Sequence, residues 1–270
     1  VRQKSLGLHA MKMLGFDFDH GRLDISAHPF CGGVPEDVRI TTRYNEKDFI
    51  SSLMGVIHET GHARYEQGLP AAWLGQPAGE ARSMGIHESQ SLFFEMQLAH
   101  HPAFLERLSP LIKQHFGDQP AFDAENLIQL YSRVEPGFIR VDADELTYPA
   151  HIILRFEIEQ ALIEGKIQVH DLPEVWNNKM QQYLGLSTRG NDAIGCMQDI
   201  HWTDGSFGYF PSYTLGALYA AQFAAAIERD VGNIGELIAS KDGLPQIFNW
   251  LKANVWQKAS LLSTEELICQ

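Results

Sequence analysis

The chain has 270 residues, 44% of them hydrophobic, which is enough to bury a sizeable core as one large domain or two small ones. Its 21 Lys and Arg residues against 34 Asp and Glu residues give a net charge of −13, without any Lys/Arg-rich block. We therefore expect neither nucleic acid nor an anionic membrane surface as a partner. No run approaches the roughly 18 apolar residues that mark a membrane span.

The cysteines are odd in number and lie far apart, outside any CxxC spacing: Cys31, Cys196 and Cys269. Neither a disulfide framework nor a thiolate zinc site is predicted from them. Residues 1–15 lack the apolar core and the cleavage site of a signal peptide. A reducing, cytoplasmic location is therefore expected. Because Val1 stands within a helical pattern, we also expect the chain to be a segment of a longer protein.

Residues 23–44 are the clearest exception to the helical periodicity of the chain. They combine short alternating runs with the turn signal Gly32-Gly33, and residues 38–44, VRITTRY, are the better strand candidate. The sequence predicts a small β-ribbon here that leads into a helix.

The predicted helices cover most of the remaining chain, so the fold class is expected to be mainly α. Apolar residues recur at three- and four-residue spacing over 46–67, 80–99, 150–165 and 213–229. For the first of these, Asn45 is the predicted N-cap and Gly68 the predicted stop. The sequence shows no internal repeat or low-complexity linker that would divide the chain.

The run His58-Glu59-Thr60-Gly61-His62 is an HExxH motif within the first predicted helix. A turn of about 100° per residue puts positions i and i+4 about 40° apart, so both imidazoles face one point. Neutral imidazole nitrogens suit Zn²⁺, and the carboxylate of Glu59 is placed to act on a water molecule rather than on the metal. The motif predicts a zinc site held by His58 and His62, with Glu59 as the general base.

A catalytic zinc site needs a third protein ligand, which in this class is often a carboxylate from a following helix. The sequence offers Glu80, Glu88 and Glu95. Glu88 is preferred, since it lies early in an amphipathic segment beside His87, but spacing leaves open that it is a solvated carboxylate. His87 itself is expected to be a neighbour rather than a ligand.

Several motifs together resemble the M32 family of metallocarboxypeptidases, the carboxypeptidase Taq family. They are Asp37–Thr41 as DxRxT, His58–His62 as HExxH, His87–Gln90 as HESQ, Gln198–Trp202 as QDIHW, and Gly208–Tyr213 as GYFPSY. The match runs from about residue 20 nearly to the end. Family members carry an N-terminal half that this chain lacks, so residues 1–270 resemble the catalytic, C-terminal half alone.

The resemblance implies properties that composition and spacing do not give. It implies a mostly helical, zincin-like fold with a deep groove, homodimerisation, and Zn²⁺ that Co²⁺ can often replace. It also implies Glu88 as the third ligand and removal of single residues from the C-termini of peptides. The resemblance also implies that both halves of a family member line the groove.

Peptide hydrolysis passes through an oxyanion that needs hydrogen-bond donors besides the metal. His201 and Tyr213 are the candidates, since their spacing is similar to that of the oxyanion-stabilising pair in related helical zincin peptidases. Tyr209 is predicted to share or replace that role or to contact the substrate. The aromatic run that contains both tyrosines is also compatible with an ordinary core.

A carboxypeptidase must also bind the terminal carboxylate of its substrate, and an arginine fork suits that group. The candidates are Arg39, Arg140 and Arg155. Arg140 is favoured because its segment is similar to a family stretch that reaches the groove, Arg39 is the weaker alternative, and Arg155 is expected in a structural ion-pair network. The acidic loop 142–145 is expected to be solvated or paired with arginine.

Three functional hypotheses follow from these observations. The first is a zinc carboxypeptidase that acts on peptides. The second is a zinc oligopeptidase that cuts internal bonds, and it would lack an arginine to close the end of the groove. The third is a non-catalytic, truncated scaffold. It is disfavoured because the HExxH motif and the third-ligand position are both intact.

Overall fold

The structure is a computed structural model that describes residues 1–27 and 29–269. It divides into two compact units, unit 1 (Val1–Leu130 and Gly216–Gln270) and unit 2 (Tyr131–Leu215). Both are built mainly from α-helices, which confirms the predicted fold class. Among the described helices, none combines the length and apolar character needed to cross a bilayer.

The α-helices are numbered in chain order. They are α1 (Arg2–Met13), α2 (Phe49–Gly68), α3 (Met84–Leu92), α4 (Pro102–Phe116), α5 (Ala124–Tyr131), α6 (Tyr148–Ile163), α7 (Leu172–Leu184), α8 (His201–Asp204), α9 (Pro211–Asp230), α10 (Ile234–Ala239), α11 (Gly243–Asn254) and α12 (Thr264–Ile268). The helices predicted over 150–165 and 213–229 correspond to α6 and α9. Their boundaries differ from the prediction by one or two residues.

A three-stranded sheet precedes α2, as the sequence predicts in outline. Its strands are β1 (Gly21–Ile25), β2 (Phe30–Val34) and β3 (Asp37–Thr42), in the order β1-β3-β2. β3 pairs antiparallel with β2 and parallel with β1. The prediction of a simple ribbon over 23–44 was therefore incomplete, because the sheet has a third, parallel strand, β1, which begins at Gly21. Residue 28, which falls within the predicted ribbon, lies outside the described part of the chain.

The sheet supports α2 through an alternating pattern on β3. Val38 and Ile40 are buried and pack in one cluster with Val56 and Ala63 of α2. Arg39, between them, is exposed, because successive side chains of a strand point to opposite faces. The apolar face of the sheet thus fixes the helix that carries the HExxH motif.

The start of α2 differs from the prediction. The helix begins at Phe49, and its N-cap is Asp48, whose carboxylate accepts a hydrogen bond from the backbone of Ser51. Asn45 instead accepts from the backbone of Lys47 in the preceding turn. Asp and Asn compete for the same local role. The predicted stop at Gly68 is correct.

The helix predicted over 80–99 is shorter and has two parts. It begins at Met84, after an N-cap at Ser83 whose φ of 39° is not helical. After Leu92 the chain continues as a π-helix over Phe93–Ala99. A π-helical turn changes the direction of every side chain that follows it, and this turn carries Glu95.

Gly61, within the HExxH motif, lies where α2 and α3 approach each other closely. A Cβ atom there would lie 2.4 Å from the carbonyl oxygen of Gln90 and 2.6 Å from Cα of Ser91. Because both are backbone atoms, we expect Gly61→Ala to push the helices apart and to lower the free energy of unfolding by about 1–3 kcal/mol. Urea denaturation measures this change.

Gly55 on the same helix is the matched control, because among the described residues a Cβ atom there would meet only a side-chain atom of Pro29, at 3.9 Å. We expect Gly55→Ala to stabilise the protein by up to about 1 kcal/mol through helix propensity. Equal destabilisation by both substitutions would contradict the close-approach explanation.

Unit 2 has its own apolar core between α6 and α7. Leu154 and Ile158 of α6 pack with Trp176 and Met180 of α7, and all four side chains are buried. This core holds the polar groups of α6 that are described below.

Candidate metal centre

Three side chains of unit 1 form a group that can hold a metal ion: His58, His62 and Glu88. Their potential ligand atoms lie within 4.8 Å of one another. Glu88 Oε1 is 3.6 Å from Nε2 of His58, and its Oε2 is 3.5 Å from Nε2 of His62. Two imidazole nitrogens from one helix and a carboxylate from the next thus converge on one point, where the HExxH spacing predicts.

Glu95 supports His58 instead of joining this group. Its Oε2 is 2.7 Å from Nδ1 of His58, on the side of the ring opposite to Nε2. Of the other carboxylates considered from the sequence, Glu80 lines a cavity of about 800 Å³ together with Glu36 and Glu66. The structure therefore brings Glu88, and neither of the alternatives, between the two imidazoles.

His62 has a different support. Its Nδ1 is 2.7 Å from Nδ1 of His87, and Nε2 of His87 is 2.8 Å from Oε1 of Glu66. His87 is thus the neighbour that the sequence predicts. Glu66 was missed, although it follows His62 by four residues on α2 and so shares its helix face.

The electrostatics of the group favour a cation. Burial raises the pKa of Glu59 to about 7, and Glu88 adds to the rise while His58 opposes it. Burial alone would lower the pKa of His58, but its hydrogen bond to Glu95 and the charge of Glu88 raise it to about 10. Two imidazoles and a carboxylate are a donor set that divalent metals such as Zn²⁺ accept, and the surrounding carboxylates compensate the charge of such an ion.

Two close contacts hold α3 in place. A Cβ atom at Gly216 of α9 would lie 2.8 Å from Cβ of Glu88, so the glycine leaves the space that this side chain occupies. The second contact is made by Gln90, two residues after Glu88 on α3. Its Oε1 accepts a hydrogen bond of 2.8 Å from the indole of Trp256. The motif HESQ therefore contains Glu88, which lies between the two imidazoles, His87, which supports His62, and Gln90, which binds the indole of Trp256.

Arg140, the favoured carboxylate-binding candidate, is buried in a polar cluster of unit 2. Its Nε and Nη2 donate to Oδ1 of Asp199 at 3.0 and 2.9 Å, and its Nη1 donates to the hydroxyl of Tyr148 at 2.7 Å. Arg155 donates to the other oxygen of Asp199 at 2.6 Å. Arg155 thus lies in an ion-pair network, as expected, with Asp199 as its partner.

His201 and Tyr213, the predicted oxyanion donors, contact each other within unit 2. Nε2 of His201 is 2.9 Å from the hydroxyl of Tyr213. The ring of Tyr209 lies beside both, with centroid distances of 5.6 Å to His201 and 5.3 Å to Tyr213. Burial lowers the pKa of His201, and the charge of Arg140 lowers it further. The three residues form one cluster, and their catalytic roles stay predictions.

Arg39 lies elsewhere. It forms an exposed ion pair with Asp37, at 2.6 Å, on the face of the sheet opposite to α2. The structure therefore does not bring it to His58, His62 and Glu88. In the acidic loop, Asp144 accepts hydrogen bonds from the backbone of Leu146 and Thr147, which is a structural role.

The charge of Asp199 compensates two buried guanidinium groups. Burial acts to raise the pKa of Asp199, but the charges of Arg155 and Arg140 outweigh this effect and hold the pKa below its usual range. We expect Asp199→Asn to lower the free energy of unfolding by about 3–5 kcal/mol, since both arginines would stay buried without a counter-charge. The exposed Asp37, paired with Arg39, is the control: Asp37→Asn should change chemical denaturation little. Equal effects would contradict the explanation.

The comparisons with known proteins agree with this geometry. A family model described as Carboxypeptidase Taq (M32) metallopeptidase matches residues 1–270. "Carboxypeptidase 1" of Bacillus subtilis is 44% identical over 262 residues, which cover 94% of this chain and 51% of that protein. "Thermostable carboxypeptidase 1" of Thermus thermophilus is 41% identical over 267 residues, covering 98% and 52%.

Among solved structures, metallocarboxypeptidase 1 of Trypanosoma cruzi superposes with a TM-score of 0.94 at 51% identity, covering 99% of this chain and 56% of that one. The apo structure of the Pyrococcus furiosus carboxypeptidase gives a TM-score of 0.94 at 37% identity, covering 99% and 54%. These matches confirm the helical, zincin-like fold class. The chain spans about half the length of the curated relatives that it matches.

Proposed function

We propose that this chain, which belongs to the Carboxypeptidase Taq (M32) metallopeptidase family, provides the metal centre of a zinc-dependent carboxypeptidase that removes residues from the C-termini of peptides. One observation carries the proposal: in a chain of this family, His58, His62 and Glu88 converge within 4.8 Å beside the buried Glu59. The family itself implies a divalent metal. The choice of Zn²⁺ rests on the donor set, and its replacement by Co²⁺ is proposed from the family resemblance.

A bound Zn²⁺ would polarise the scissile carbonyl and make water acidic enough to attack at neutral pH. His58, His62 and Glu88 are assigned to hold this ion. Glu59 is assigned to take the proton of the attacking water and to pass it to the leaving amine. Glu59 is buried and follows His58 directly on α2, which supports this assignment.

The remaining assignments rest on the family resemblance and belong to the same proposal. His201 and Tyr213 would donate hydrogen bonds to the oxyanion, with Tyr209 beside them, and Arg140 would bind the terminal carboxylate of the peptide. The hydrogen bond between His201 and Tyr213 supports a joint role for the pair. A homodimer is proposed on the same basis. A cytoplasmic location is proposed because the three cysteines are free.

The test is a time course with the full-length protein loaded with Zn²⁺ and a peptide of about ten residues, followed by mass spectrometry. Successive losses of single residues from the C-terminus are expected, and a chelator should abolish them while Glu59→Gln should slow them strongly. Internal fragments would instead indicate an oligopeptidase. No cleavage by the metal-loaded protein would indicate a non-catalytic scaffold.

A further inference from the structure

The two imidazoles of the proposed metal centre are supported in different ways. Nδ1 of His58 meets the carboxylate of Glu95 directly, at 2.7 Å. Nδ1 of His62 meets a second imidazole, that of His87, at 2.7 Å, and the carboxylate of Glu66 comes only after it, at 2.8 Å. His62, His87 and Glu66 thus form a three-membered chain, in which Glu66 is the most exposed member, at 25% of its side chain.

The direction of the hydrogen bonds in this chain follows from the donors and acceptors. An ionised carboxylate only accepts, so Glu66 places the proton of His87 on Nε2. Nδ1 of a neutral His87 is then an acceptor for the Nδ1 proton of His62, which also lies near a backbone group of His87. This arrangement leaves the lone pair of His62 Nε2 free on the side that faces Glu88, where a metal would bind.

We propose that His87 and Glu66 are positioning residues that set the tautomer and the ring orientation of His62 for metal binding. The inference rests on the proposed function and deepens it. His87 is adjacent to Glu88 on α3, so one turn of this helix supplies a ligand and the support of another ligand. The ring of His87 is also held by packing, since its centroid lies 4.8 Å from that of His62 and 5.2 Å from that of Tyr65.

Two substitutions of His87 separate hydrogen bonding from packing. His87→Phe keeps an aromatic ring against Tyr65 but removes the acceptor for His62. His87→Asn loses most of the ring, yet its side-chain oxygen stands near the position of Nδ1 and can accept the same hydrogen bond. If the ring of His87 were only structural, His87→Phe would keep more of the metal affinity than His87→Asn. The proposal predicts the opposite order.

The experiment measures Co²⁺ affinity by competition with a chromophoric chelator, together with the visible absorption spectrum of the bound Co²⁺. We expect His87→Phe to weaken affinity about 10- to 100-fold, the usual range for a lost supporting contact, and to change the spectrum. His87→Asn should restore most of the affinity. The control is His170→Asn, since His170 is 80% exposed and lies in unit 2.

Glu66→Gln is a second variant that keeps an acceptor for His87 but removes the negative charge, and we expect a smaller loss of Co²⁺ affinity than for His87→Phe. Circular dichroism and thermal unfolding without metal establish that each variant folds. Two results would overturn the proposal. One is a folded His87→Phe variant that binds Co²⁺ as tightly as the wild type, and the other is a loss of Co²⁺ affinity in His87→Asn at least as large as in His87→Phe. Wild-type protein that binds Co²⁺ but cleaves no peptide would refute only the proposed function, whereas wild-type protein that binds no Co²⁺ would refute both.

Discussion

Replacing Glu59 with Gln is expected to lower the rate of peptide hydrolysis by about 10²- to 10⁴-fold, the contribution typical of a positioned general base. The amide keeps the size of the side chain but cannot take a proton from water. Since Glu59 lies outside the group formed by His58, His62 and Glu88, metal affinity should change little. Steady-state kinetics on a C-terminally labelled peptide and Co²⁺ titration measure the two quantities.

The control for this prediction is Glu46→Gln, the same chemical change at an exposed position just before α2. It should leave both the rate and the metal affinity as in the wild type. If Glu59→Gln kept the wild-type rate at full metal occupancy, the assignment of the base would be wrong, whatever the cleavage pattern.

Replacing Glu88 with Gln is expected to weaken Zn²⁺ affinity by more than the roughly 100-fold upper range for supporting residues. The substitution removes the charge of the one carboxylate that faces Nε2 of both His58 and His62, at 3.6 and 3.5 Å. Isothermal titration calorimetry or chelator competition gives the affinity. Peptide cleavage should fall with metal occupancy and recover in part at high Zn²⁺ concentration.

The same substitution at the other two carboxylates tests the choice of ligand. Glu95→Gln should weaken affinity by about 10- to 100-fold, as expected of a residue that supports His58. Glu80→Gln should have no effect, since Glu80 lies outside the three-residue group. A loss at Glu95 as large as that at Glu88 would make Glu95 a ligand.

The parts of this protein that the sequence predicted well are the local ones. The HExxH spacing alone places His58 and His62 on one helix face, because helix geometry depends only on neighbouring residues. The ends of α6 and α9 were also close, since apolar periodicity defines them. Where two local signals compete, as for Asn45 and Asp48 at the start of α2, the sequence does not decide between them.

The parts that were missed depend on distant residues. Glu95 reaches His58 from a π-helical segment that a regular 3.6-residue pattern does not reveal. Asp199 pairs with Arg140 and Arg155 across 59 and 44 positions of the chain, and no local pattern predicts that pairing. The parallel pairing of β1 with β3 was missed for the same reason. The two strands are neighbours in the sheet, but β2 lies between them in the chain.

Unit 1 combines two stretches of chain that are synthesised at different times. Its first stretch contains α2 and α3, but the glycine beside Glu88 and the indole that binds Gln90 belong to the second, and the latter contact spans 166 positions. Contacts of such separation form late, because the cost of closing the loop precedes the gain from packing. We therefore expect the nascent chain to hold the HExxH helix in a loosely packed state. Stable capture of metal would then follow the synthesis of Trp256 rather than accompany that of the motif.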